Sequence, residues 1–114
     1  MTPADHVLRL YRMASSVTRE ILDHAREADW DRVVALGNEY QGIVEQIRQL
    51  GEVPPLDADD LATKHALLVD IVENDAATRD LVVPSLERLG ALIGTLRRQQ
   101  TVNKTYGQGA AALR

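Results

Sequence analysis

Residues 61–96 read LATKHALLVDIVENDAATRDLVVPSLERLGALIGTL, and this stretch decides the fold. Leu61, Leu68, Val72, Val82, Leu86, Leu89, Ile93 and Leu96 share one heptad frame, interrupted by His65, Asp75 and Arg79. A repeat of this kind belongs to a long helix that lays an apolar seam on its neighbours. A helix from Asp57 to Arg98 is roughly 63 Å long at about 1.5 Å per residue. The two segments before it support helices of only about 38 Å and 30 Å by the same rule. A hairpin of that size leaves part of the seam uncovered. The distal part, Val82 to Leu96, must therefore meet a second copy, the chain's own tail or a partner helix. The functional reading is a partner helix.

The first segment starts with Thr2 as N-cap, Pro3 in the first helical position and Asp5 in the first turn. Val7, Leu10, Ala14, Val17 and Ile21 form its apolar stripe; Leu8, Tyr11, Leu22 and Ala25 widen it enough to touch two neighbours. Ala28-Asp29-Trp30-Asp31 then breaks the pattern, with Asp29 as the cap of a second helix. The break lacks Gly or Pro, so one continuous helix from Pro3 to Leu50 competes with the turn. The second segment carries Val33, Leu36, Tyr40, Ile43, Ile47 and Leu50 at steps of three and four. Gly37 and Gly42 each lower its helicity by roughly 1 kcal/mol relative to Ala. Gly51 and Pro54-Pro55 end it, and Asp57 caps the third helix with Asp59 and Asp60 in the first turn. Pro84 falls inside the third pattern and predicts a bend rather than a stop. Beyond Arg98 the pattern fades, and residues 110–113 suggest a short frayed turn. The expected architecture is an all-α, antiparallel bundle of three long helices. The third is the longest and kinks near Pro84, and a short helical tail follows. It is a single domain, with residues 1–100 as bundle and 101–114 as a flexible or regulatory tail.

Composition narrows the function. The chain has 114 residues, 45% of them hydrophobic, with one Trp, three Tyr and no Phe, so an aliphatic helical core is expected. It has no Cys, which removes disulfides and thiolate chemistry. No apolar run approaches the ~18 residues of a membrane span. No charged and then apolar leader opens the sequence, so a cytosolic location is the expectation. His6, His24 and His65 are isolated, and Asp57-Ala58-Asp59-Asp60 lacks the Gly and Glu of a calcium loop, so neither a metal nor another cofactor is expected. No nucleophile has a persuasive partner and there is no phosphate loop, so the chain is not read as an enzyme. Nor is it read as a nucleic-acid binder: the net charge is -4 and stacking aromatics are lacking. That charge is unevenly spread, at -2 over residues 1–50, -6 over 51–80 and +4 over 81–114.

Two stretches carry a family likeness. The first is Asp29-Trp30-Asp31 leading to Tyr40. The second holds Glu73-Asn74-Asp75, Leu86-Glu87-Arg88-Leu89, Leu92-Ile93-Gly94 and Arg97-Arg98-Gln99, and closes on Asn103-Lys104-Thr105-Tyr106-Gly107. Together they resemble the FliT family of flagellar export chaperones over roughly residues 4–107, in a single register. The resemblance implies a small helical protein that binds the C-terminal segment of the filament cap protein. It would keep that subunit from assembling early and escort it to the flagellar export apparatus. It also implies a tail that covers the partner groove until cargo arrives, and docking on the export gate through Tyr106, with Asn103 in the same closing motif. Some members of the family restrain a flagellar master transcription regulator, which stands as an alternative role, as does a homodimer without cargo. On this reading the cargo helix lies along Val82, Leu86, Leu89, Ile93 and Leu96, with Tyr40, Ile43 and Ile47 of the second helix as the other wall. Pro84 departs from the family pattern at the edge of that groove.

Overall fold

The computed structural model describes the backbone of residues 2–112 and the side chains of residues 2–102. It contains three helices and, among the described residues, no strand: α1 (Pro3–Arg26), α2 (Trp30–Gln49) and α3 (Ala58–Ala112). The chain divides into two compact units, Met1–Leu81 and Val82–Arg114.

Each helix start is set by a short polar side chain. At α1 the Thr2 hydroxyl accepts from the Asp5 N–H at 3.1 Å, while the Asp5 carboxylate accepts from the Thr2 N–H at 3.1 Å. This reciprocal pair satisfies two otherwise orphaned donors. The Thr2 N–H, donating to it, holds the Asp5 carboxyl below its ordinary pKa, and the Thr2 side chain adds to the effect. Asp29 caps α2 through the Arg32 N–H at 3.4 Å, and Asp57 caps α3 through the Asp60 N–H at 2.8 Å.

Between α1 and α2 the chain turns without glycine. Ala28 takes the left-handed conformation, with φ of 56°. The N–H groups of Glu27 and Asp29 both donate to the His24 carbonyl, which closes the helix end. This turn decides against one continuous first helix. Gly51 does the corresponding work after α2, with φ of 65°, where a glycine carries no Cβ penalty.

Within the first unit, α1 is the central helix. Val7, Leu8, Leu10, Ala14, Val17, Ile21, Leu22 and Ala25 are all buried. Ala14, Val17 and Ile21 meet Leu36 and Ile43 of α2 and Ile71 of α3 in one cluster. Lys64 lies over the Tyr11 ring at 5.4 Å, and Asn74 bonds Thr18. These two contacts ascend α1 and α3 together, so the two helices run in the same sense. The width of the α1 stripe is thereby explained: it serves two neighbours.

Two expectations for α3 are corrected. Leu61, Leu68 and Val72 do not face the core; they are 53%, 38% and 63% exposed. The inward residues are Ile71 and Asn74, both buried, flanked by half-buried Lys64, Leu67 and Thr78. An inward row that includes a satisfied Asn, a Thr and a lysine stem leaves only a weak aliphatic signature. The second correction is length. The helix runs through Pro84 and past Arg98 to Ala112, so the segment after Arg98 continues α3 instead of forming a separate tail helix.

Candidate functional site

The second unit presents an apolar row. Leu86, Leu89, Ile93 and Leu96 are 59%, 51%, 40% and 49% exposed. Their spacing of three, four and three residues stacks them on one face of α3. Val82 begins the row and is half-buried. Leu92 is also exposed and broadens the row on one margin. Leu92 lies off the heptad frame, and its position three residues after Leu89 places it at that edge. Scattered exposed apolar residues are ordinary on a protein surface; a contiguous ridge of five large aliphatics is a mark of an interaction surface.

The margins are polar and held in place. An Arg88 guanidinium N–H donates to the Ser85 hydroxyl at 3.1 Å, and one from Arg98 donates to the Thr95 hydroxyl at 3.4 Å. The Thr95 hydroxyl in turn donates to the Ala91 carbonyl at 3.1 Å. Gly90 and Gly94 lie beside the ridge, and a Cβ added at either would meet no atom within 4 Å. The ridge therefore has a low shoulder against which a second backbone can lie close. Its charge is positive, with Arg88, Arg97 and Arg98 against Glu87.

Of the residues expected on α2, Ile43 is 3% exposed and belongs to the core cluster of the first unit. It offers no surface to a partner, because α1 and α3 already cover it. Tyr40 and Ile47 are half-buried and pack against that cluster. Burial raises the Tyr40 phenol above its ordinary pKa, and the carboxylate of Asp75 adds to the rise. Asp75 is itself raised by burial, an effect that Arg79 partly offsets. The side chains of Asn103 and Tyr106 lie outside the described residues.

Among the described residues the backbone after Arg98 continues along α3 to Ala112, and Leu86, Leu89, Leu92, Ile93 and Leu96 are exposed. Among the described residues no group of three His, Cys, Asp or Glu side chains is placed to hold a metal ion. Among them, too, no helix is long and apolar enough to cross a membrane.

Comparison with known proteins places this arrangement. The family described as "Flagellar protein FliT" matches residues 8–108. The chain is 31% identical over 105 residues to the flagellar protein FliT of Yersinia enterocolitica, covering 90% of this chain and 86% of that one. It is 26% identical to the Pectobacterium atrosepticum protein of the same name, covering 100% and 90%. The crystal structure of flagellar protein FliT from Bordetella bronchiseptica superposes with a TM-score of 0.70 at 43% identity, over 75% of this chain and 97% of that one. These likenesses define a small all-α protein of the flagellar system. The chain belongs to the FliT family.

Proposed function

We propose that this protein is a flagellar export chaperone whose ridge on α3 receives the C-terminal helical segment of the filament cap protein. The observation that carries the reading is the exposed row Leu86, Leu89, Ile93 and Leu96, with its low glycine shoulder. An amphipathic helix laid along it recovers the apolar burial that the ridge lacks in the free chain. Five side chains at about 1.5–3 kcal/mol each contribute on the order of 7–15 kcal/mol gross. Ordering the cargo helix takes back several kcal/mol. The remainder suits a chaperone, which must hold its cargo and then release it.

Bound in this way, the cap subunit has its own assembly segment occupied and stays monomeric. Delivery to the export apparatus then uses a different part of the chain. We assign it to the closing motif around Asn103 and Tyr106. Tyr106→Ala is expected to leave cargo binding unchanged while weakening capture by purified export-gate components at least tenfold. Loss of both activities would make Tyr106 a structural residue.

Calorimetric titration of the cap protein's C-terminal segment into the chaperone tests the main reading. A one-to-one complex that protects the amides of residues 82–96 from hydrogen exchange supports it. Absence of binding at high micromolar concentration removes it. Capture of a flagellar transcription regulator by the same ridge, with no affinity for the cap segment, would favour the regulatory role instead.

A further inference from the structure

The second unit consists of one element, the part of α3 that begins at Val82. A helix with no companion inside its unit depends on its own sequence for stability. Over residues 82–102 that sequence is a poor helix former. Val82, Val83, Ile93, Thr95, Thr101 and Val102 are β-branched, and Gly90 and Gly94 fall between them. Residues of both kinds lose more freedom in a helix than Ala or Leu does. The single acid of the stretch is Glu87. At three- and four-residue spacing it has Val83 and Pro84 before it and Gly90 and Ala91 after it, so no ion pair along the helix supports it. Pro84, near the start of the unit, has no N–H to give to the carbonyl four residues earlier, and a helix spreads poorly past such a gap.

Most helical stability in proteins comes from packing an apolar face, not from propensity. Here that face is open: Leu86, Leu89, Leu92, Ile93 and Leu96 are all exposed. The burial that would hold the helix firm is therefore the burial that cargo brings.

We propose that residues 85–102 stand at the helix–coil balance in the free chaperone, and that the cap segment completes the helix as it binds. The inference rests on the reading of the ridge as the cargo site. Ridge formation and cargo binding are then one equilibrium. The observed affinity is the intrinsic one reduced by the fraction of chains already helical. When cargo leaves, the ridge loosens with it, so the free chaperone keeps no persistent apolar surface to capture other proteins.

The test uses the isotope-labelled full chain and an unlabelled cap segment, so that the helicity of the chaperone is read apart from that of its cargo. In the free chain the Cα chemical shifts of residues 85–102 are expected to fall well short of full helical values. Their amides should exchange about a hundredfold faster than those of the buried Val17 and Ile21. Saturation with the cap segment should bring the shifts to full helical values. Ala91, Thr95 and Val102 are exposed on the side of the helix opposite Leu86, Leu89 and Ile93, so changes there alter helicity without touching the ridge. Ala91→Gly should weaken cargo binding about fivefold. Thr95→Ala combined with Val102→Ala should raise the helicity of the free chain and tighten binding about threefold. Full helical shifts in a free chain that binds cargo would overturn the proposal and leave the export reading standing. Affinities unchanged by both variants would do the same. No binding of the cap segment by any form would overturn both.

Discussion

The Asn74 side-chain amide donates a buried hydrogen bond to the Thr18 hydroxyl at 3.2 Å, across 56 positions of sequence. That hydroxyl donates onward to the Ser15 carbonyl at 3.0 Å. Thr18 is 1% exposed and Asn74 9%, so water has little access to the pair. It fixes the register of α3 on α1 in a way that aliphatic packing alone does not.

Thr18→Val keeps the shape of the site and leaves the Asn74 amide without its partner. A cost of about 1–3 kcal/mol is expected, the usual penalty for stranding a buried polar group. Pairing it with Asn74→Leu removes both polar groups, and the double variant should lie closer to the parent than the sum of the two changes. Urea denaturation of the three variants measures this; strict additivity would mean that the pair does not act as a unit.

Asp75 makes stability depend on pH. Burial, only partly offset by Arg79, raises its pKa in the fold above the ordinary carboxylate value of about 3.8. The folded state then holds a proton that the unfolded state has already released. The contribution of Asp75 to stability therefore falls as pH rises from below 3.8 through the raised value, and is flat above it. Asp75→Asn should melt higher than the parent at pH 7, and the difference should vanish as pH falls below 3.8. The Tyr40 phenol should also titrate nearer its ordinary range in this variant, since one cause of its rise is gone. A melting difference that stays constant with pH would contradict the assignment.

Ala28 occupies a left-handed conformation that costs a residue with a Cβ about 1–2 kcal/mol. Ala28→Gly is expected to stabilise the fold by about 1 kcal/mol, after allowance for the greater freedom of glycine in the unfolded chain. Thermal melts check the sign. A destabilised variant would show that the alanine methyl makes contacts worth more than the strain.

The strong periodicities of α1 and α2 and the caps at Thr2, Asp29 and Asp57 were legible in the sequence, because each is a local rule with a residue type attached. The family likeness, with Trp30, Asn74 and Tyr106 among the residues that carry it, was legible too. The inward face of α3 was not. Its heptad of aliphatics marked the exposed row, while the core row contains Asn74, Thr78 and Lys64, whose burial depends on partners far away in sequence. Ile43 was misplaced for a related reason: its seam position shows that it is buried, but not whether its own bundle or a visitor buries it. The helical continuation to Ala112 was hidden by glycine and polar residues that lower intrinsic helicity without ending the helix.

On the proposed function, the ridge from Val82 to Leu96 holds cargo. Ile93→Asp tests it most directly, because Ile93 is exposed and central in the row. Calorimetry with the cap protein's C-terminal segment is the measurement, and Val34→Asp on the exposed face of α2 is the control. Ile93→Asp is expected to keep the parent melting temperature and to bind at least thirtyfold more weakly, a loss of about 2 kcal/mol, while Val34→Asp binds normally. Unchanged affinity in a folded Ile93→Asp variant would contradict it.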